Sequence, residues 1–431
     1  MGIPRSSTIF STAKRIFDEV HGYVELSEAE LKLIDTSIFQ RLRYIKQLAV
    51  AWYVYPGATH TRFSHSIGTM YIMGLIAERL LNLGYIHSKE DVQLLRIAAL
   101  LHDLGHTPFS HAIEPYYRER IGIGHEDITK MLILDNPEIK ETLSYYGYDP
   151  KEIVAILEGK HREPLYNQLV SSDLDVDRMD YLLRDALHTG VAYGTIDIHR
   201  LITTIVVDGE GNLAVLDKGI DALENFYIAR LHMYRTVYYH KTLVGYELLL
   251  RKIYEKLAYE YSDELLLVSR AEVLNAIRSG IISFWNDSWL IGLIINALRD
   301  TGVSNMTKKL IRSFLIRRGY KVLLDKSRFE FKPLYIESDK DIVVMKDIIR
   351  ELYNHIDLDE ASIFVDDIKI IDEDPQIAPH IIIRGEKSEP ITNIENTIIK
   401  SLPKRFHVKR LYVLDDQYLI AREVLSRVLK C

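Results

Sequence analysis

Apolar positions along the chain recur mainly at three- and four-residue spacing, the period of helices with one buried face, which predicts a mainly α protein. The strongest run, Leu94, Leu95, Ile97, Ala98, Ala99, Leu100 and Leu101, reads as a buried helix that Gly105 and Pro108 bring to an end. Upstream, His21-Gly22 marks a turn and Ser27-Glu28-Ala29-Glu30 opens a helix. Phe39, Leu42, Ile45 and Leu48 form an apolar stripe with Arg41, Arg43 and Lys46 between them, which by itself describes an amphipathic helix with a solvated basic face. Leu223 to Arg251 and Glu272 to Arg318 read as helical, and Trp289 to Leu298 is too short to span a bilayer and reads as a core helix.

The period changes twice. Ile205 and Val207, then Leu213, Val215 and Leu216, flank Asp208-Gly209-Glu210-Gly211-Asn212 and predict a β-hairpin. Beyond Gly319, Lys321 to Leu324, Ile363 to Ile371, His380 to Ile383 and Val408 to Val413 bring strands between helices. The expected organisation is a leader over 1–13, a helical core with a short hairpin over 14–319, and a smaller α/β lobe over 320–431.

Composition narrows the chemistry. A net charge of −7 gives no strong nucleic-acid signal. The single cysteine, Cys431, excludes an intrachain disulfide and a cysteine-based zinc site, so metal ligands must be His, Asp or Glu. The start, Met1 to Ser7, lacks the apolar core of a signal peptide, and with the cysteine usage this predicts a cytoplasmic protein with no membrane partner.

Seven of the 16 histidines fall between His60 and His125, which raises the expectation of a site there. His102 and Asp103 end the apolar helix side by side; burying such groups unpaired costs roughly 2–7 kcal/mol even for a neutral polar group. His106 and His111 follow, and His125-Glu126 lies beyond a Gly122/Gly124 loop, so several titratable groups could converge on one cleft. In Asp175 to Asp185, Asp177, Tyr181 and Asp185 share one helical face with Arg178 beside them. That face suits a metal-bound phosphoryl group, or else is a surface helix tied by Asp180 and Arg184. Arg230, Tyr238 and Lys241 read either as a phosphate- and base-contacting wall or as an amphipathic helix with snorkelling cations.

His65, His102-Asp103 and Asp177 follow the H…HD…D pattern of the HD phosphohydrolase superfamily. The blocks Phe39 to Leu48, Tyr55-Pro56-Gly57-Ala58, Arg62 to Ser66, His102 to His111 and Asp175 to Tyr181 resemble, in order, its deoxynucleoside triphosphate triphosphohydrolases, including the SAM- and HD-domain-containing enzymes. Only a short polar leader precedes the resemblance, so no SAM domain is expected. The resemblance implies one divalent metal (Fe, Mn, Zn, Ni or Mg) held by His65, His102, Asp103 and Asp177, with an additional Mg accompanying the nucleotide. It implies that Arg62, Arg178, Tyr181 and Arg230 hold the triphosphate of a dNTP. Gln47, Leu48 and Asp185 would then meet the deoxyribose, and Tyr238 the sugar and base. His111, supported by His125, His106 and Glu126, would transfer protons as water attacks the α-phosphorus. Asp35, Gln40 and Arg43 match a guanine-nucleotide activator site in a homodimer or homotetramer.

The chain departs from the family pattern at Arg178, where lysine is usual, at Glu114, where aspartate is usual, and at Phe17, where asparagine is usual. Two alternatives stand beside the dNTP reading. One is another HD phosphohydrolase, acting on nucleoside monophosphates or cyclic nucleotides, which would not need all three arginines. The other is a nucleotide- or single-strand-binding protein without catalysis.

Overall fold

Two antiparallel strands, β1 (Lys14–Asp18) and β2 (Gly22–Leu26), open the fold, with Gly22, the first residue of β2, at φ +76° where the chain leaves the turn. The computed structural model describes residues 11–331, 340–371, 380–383 and 387–428, so most of the leader and Cys431 lie outside the described residues. The sequence shows only the turn here, because five-residue strands interrupted by Arg15, Asp18 and Glu25 carry no clear period. Helix α1 (Glu28–Ile34) starts as expected, with Ser27 and Glu30 satisfying each other's backbone N–H groups.

The basic stripe from Phe39 to Leu48 corrects the expectation. It is one α-turn, Ser37–Gln40, followed by a 3₁₀ turn, Arg41–Tyr44, and Arg41 is 1% exposed. Its guanidinium donates to the carbonyls of His106 (2.9 Å), Leu104 (2.6 Å) and Trp285 (2.8 Å). A guanidinium carries five donors, and the irregular turn after His102-Asp103 leaves carbonyls without helical partners, so the cation is drawn inward to them. Burial, only partly opposed by Asp287, lowers its pKa to about 9.

Helix α2 (Arg62–Asn82) packs beside α3 (Lys89–Leu101), the predicted buried helix. After α4 (Glu114–Arg120) and α5 (His125–Asp135), α6 (Val176–Thr189) packs against α2. That approach requires glycine: a Cβ on Gly68 would stand 1.9 Å from Asp180 Oδ1 and 2.4 Å from Arg184 Nη2. The predicted hairpin is β3 (Ile205–Val207) and β4 (Leu213–Leu216). Helix α7 (Ile220–Met233) runs through a π-helical turn, Tyr234–Tyr238, toward α8 (Lys241–Glu260). Helices α9 (Arg270–Ser279), α10 (Asp287–Ala297) and α11 (Asn305–Leu315) complete the helical part.

Then follow β5 (Tyr320–Asp325), β6 (Arg328–Glu330), α12 (Lys340–Leu352), β7 (Ala361–Lys369), β8 (His380–Ile383), β9 (Lys387–Pro390), β10 (Arg405–Leu414) and α13 (Tyr418–Val428). Strand β10 pairs antiparallel with β5, β6 and β7, the last in register from Ala361↔Val413 to Lys369↔Arg405. Strand β8 instead adds parallel to β4, so the early hairpin and the late strands share one sheet. On β10, Phe406, Val408, Tyr412 and Leu414 face the main core, whereas Leu411 and Val413 face a second cluster with Met345, Ile348, Ala421 and Val424. Alternation at period two thus fastens the strand-bearing lobe to the helices. No helix among the described residues is long and apolar enough to cross a membrane.

Candidate active site

The end of α3 and the first turns of α2 and α6 bring His65, His102, Asp103 and Asp177 together. His102 Nδ1 lies 2.7 Å from the Ala99 carbonyl, which can only accept, so Nδ1 carries the proton and Nε2 the lone pair. His65 Nδ1 lies 2.8 Å from Asp180 Oδ2, which fixes the same tautomer. Both Nε2 atoms are buried without a well-aligned hydrogen bond. Asp177 Oδ1 is 3.0 Å from one and 3.6 Å from the other, and the Asp103 carboxylate lies 3.5 Å from His65 and 3.3 Å from His102. His65, His102 and Asp103 offer ligand atoms within 4.8 Å of one another, and with Asp177 beside both imidazoles the set fits a divalent cation.

The electrostatics agree. Burial alone would lower the His65 pKa, but the carboxylates of Asp177 and Asp180 outweigh it and push it up to about 10. Burial would raise the Asp177 carboxyl, yet the two imidazoles hold it below its usual range. Asp103 is likewise held well below its usual range against burial, by Arg62 first and then His102 and His106. Asp180, absent from the expected site, is fully buried and takes His65, His21 at 2.6 Å, and Arg184 through Nε at 2.8 Å and Nη2 at 2.9 Å. The Asp180–Arg184 pair is therefore the floor beneath the His65 imidazole rather than a surface tie.

Across the same cavity lies a second group. His111 Nδ1 is 3.0 Å and His125 Nδ1 2.8 Å from the two oxygens of Glu114, and the His106 and His125 rings stack at 4.1 Å. Burial would raise the Glu114 carboxyl, but these imidazoles lower it far below its ordinary value. Burial and the nearby Arg62 push His106 well down, so it stays neutral. Glu126, also expected in this group, lies at its rim: its side chain is 66% exposed, pairs with Arg118 at 2.6 Å and comes within 3.6 Å of His125 Nδ1. Glu114, placed on α4 by the turn after His111, is the carboxylate that orients both imidazoles.

A cavity of about 630 Å³ joins the two groups and is lined by Gln47, Leu48, Arg62, Asp103, His106, His111, His125, Asp177, Tyr181, Asp185 and Tyr238, all expected at the site. Arg62 donates to Asp103 Oδ2 at 2.5 Å. Asp185 accepts from Tyr238 at 2.8 Å and lies 2.7 Å from His60 Nε2, a partner not anticipated. Arg178 and Arg230 do not line the cavity; Asp175 and Asp173 hold them. Those aspartates lie in the loop before α6, in plain view in the sequence, but their pairing is set by the fold. Asp35, Gln40 and Arg43 sit apart from the cavity: Arg43 donates to Gln40 Oε1 at 2.7 Å and lies over the Phe63 ring, while Asp35 is exposed.

The HD domain family model matches residues 62–185 and the HD associated region matches 196–279. The chain is 43% identical over 233 residues to an uncharacterized protein of Methanocaldococcus jannaschii, covering 53% of this chain and 47% of that one. It is 34% identical over 269 residues to the human deoxynucleoside triphosphate triphosphohydrolase SAMHD1, covering 53% and 42%. The chain spans about half the length of the curated relatives it matches. Over nearly its whole length it superposes on a hypothetical protein from Aquifex aeolicus, with TM-score 0.76, 29% identity and coverage of 96% of this chain and 99% of the other. A phosphohydrolase from Bacteroides thetaiotaomicron gives TM-score 0.73, 26% identity and coverage of 93% and 99%. The histidines and aspartates that meet at the cavity fall inside the HD match, so residues 62–185 carry the HD domain, in a chain similar in sequence to the SAMHD1 deoxynucleoside triphosphate triphosphohydrolases.

Proposed function

We propose that this protein hydrolyses dNTPs to deoxynucleoside and inorganic tripolyphosphate. The observation that carries the reading is that one cavity is lined both by Asp103 and Asp177, the carboxylates beside the His65 and His102 imidazoles, and by the His111–Glu114–His125 group, in a chain similar to SAMHD1 enzymes. A divalent ion held by His65, His102, Asp103 and Asp177 would supply Lewis-acid polarisation and an activated water. Arg62 neutralises phosphate charge at the same end. His111, held by Glu114, is at the open side of the cavity and delivers a proton to the 5′ oxygen as the bond from the α-phosphorus to that oxygen breaks. Asp185, already committed to Tyr238 and His60, meets the sugar, where a 2′-hydroxyl would crowd it.

Arg178 and Arg230 reach the triphosphate in this reading by exchanging one oxygen of Asp175 or Asp173 for phosphate, and their Nε atoms lack partners. The Asp35, Gln40 and Arg43 surface takes a guanine-nucleotide activator with its Mg in a cytoplasmic homodimer or homotetramer, a reading that rests on family resemblance. The test is product analysis: purified protein with Mn²⁺ or Mg²⁺, each dNTP, and added guanine nucleotide, resolved by anion-exchange chromatography. Deoxynucleoside with tripolyphosphate supports the reading. Diphosphate or monophosphate products, or turnover of monophosphates alone, transfer the protein to another HD chemistry.

A further inference from the structure

The cavity has two chemically different halves. One holds the cation cradle and Arg62, suited to phosphate. The other is walled by Tyr234, Tyr238, Tyr239, Leu243, Val244 and Phe364, flat and apolar surfaces suited to a nucleobase. Glu247 and Asp366 interrupt this apolar half, and Glu119, exposed and 4.0 Å from Arg251, lines the cavity as well. Glu247 lies one turn beyond Leu243 on α8, on the same face, and has no hydrogen-bond or ion-pair partner among the described residues. Asp366 comes from β7 of the strand-bearing lobe; its Oδ2 accepts from the Tyr239 hydroxyl at 2.7 Å and its Oδ1 from the Asp367 backbone at 2.8 Å.

Each Asp366 oxygen keeps a second lone pair, so toward the cavity this carboxylate offers acceptors only. A half-buried carboxyl left unpartnered in an apolar wall is costly unless a ligand completes it. Burial, weakly opposed by Arg251, raises Glu247 to about 8. Its carbonyl oxygen accepts whether or not the proton is present.

Resting on the dNTP reading above, we propose that Glu247 and Asp366 select the nucleobase by accepting hydrogen bonds from an exocyclic amino group, so that the protein prefers adenine, cytosine and guanine nucleotides over thymine. Guanine, with a carbonyl at the position of the adenine amino group, offers its 2-amino group and N1–H instead, whereas thymine has no exocyclic amino group and sets a carbonyl where adenine and cytosine carry theirs, oxygen against oxygen. The strand-bearing lobe thereby supplies part of the substrate site through Phe364 and Asp366.

The test compares kcat/KM for dATP, dCTP, dGTP and dTTP in the metal-loaded full chain and in Asp366→Asn and Glu247→Leu, the second of which removes the acceptor altogether. Asn keeps one oxygen, for the Tyr239 hydroxyl or the Asp367 N–H, and replaces the other with an N–H₂ donor that suits a thymine carbonyl. The wild type should favour amino-bearing bases over dTTP by about tenfold, the scale of one hydrogen bond plus one avoided repulsion. Each variant should shrink that ratio severalfold, mainly through KM, with the products unchanged. Equal kcat/KM for all four nucleotides, or ratios unmoved in both variants, overturns the proposal while leaving the reaction intact. Should no dNTP be hydrolysed, equilibrium binding of the four nucleotides to the wild type and both variants reads the same wall. Preferential binding of the amino-bearing three sustains the proposal although the reaction reading has failed, and indifferent binding overturns it.

Discussion

Asp180→Asn separates the metal's support from the metal's ligands. The wild-type carboxylate meets four donors in a dry interior: His65 Nδ1, His21 Nε2, and two N–H groups of Arg184. Asparagine offers one oxygen, so its N–H₂ must face at least one of those donors. If it faces His65, the ring is driven toward the tautomer with a proton on Nε2, the atom that should carry the lone pair. Removing such a support costs about 10–100-fold in metal affinity, or about 1.4–2.7 kcal/mol. Breaking a buried charge pair costs about 3–5 kcal/mol in general. Asp18 and Glu19, each 3.0 Å from Arg184, keep the loss of folding stability toward the lower end. The assay is competition titration of Mn²⁺ or Zn²⁺ against a chromophoric chelator, beside thermal melts of the metal-free protein. Metal affinity within twofold of wild type in a folded variant would refute the argument that Asp180 sets the His65 tautomer.

Further outcomes follow from the same geometry. His111→Ala should bind metal normally while kcat falls about 10²–10⁴-fold, the usual contribution of a positioned proton donor; metal analysis with kinetics checks it, and equal metal loss would remove His111 from proton transfer. Asp185→Ala should erode discrimination between dNTP and NTP, read from the ratio of their kcat/KM values, because it removes the group fixed between Tyr238 and His60. For pH, the metal-free His65 has a folded pKa near 10 against about 6.5 unfolded. Its stabilising contribution is therefore complete below about 6.5 and lost as pH rises through about 10. Metal binding displaces that proton, so metal affinity should climb over the same window. Melting temperatures of metal-free and metal-loaded protein at pH 6, 8 and 10 check both signs, and a flat metal-free profile would contradict them.

What the sequence reveals about this site is local. His102-Asp103 at the end of an apolar helix and Asp177 at the start of another are legible because periodicity fixes where each helix delivers them. The helix periods, the 205–216 hairpin and the late strands are legible for the same reason. Arg41 is not, since its burial depends on carbonyls from Leu104, His106 and Trp285, far apart in the chain. Glu126 adjoins His125 in sequence and stays at the exposed rim of the group, whereas Glu114 reaches both imidazoles from a separate turn. Asp180 looks like the partner of Arg184 on any exposed helix; only the Gly68 approach of α2 buries it beneath His65. The lobe's share in the cavity, through Phe364 and Asp366, follows from β7 pairing with β10 and carries no motif.

Hydrolysis of dATP by the metal-loaded protein in H₂¹⁸O tests the central claim most directly, with products separated and weighed by mass spectrometry. The account predicts unlabelled deoxyadenosine and tripolyphosphate carrying one ¹⁸O, because water joins the α-phosphorus and the 5′ oxygen leaves. Label in dAMP or in free phosphate would contradict it.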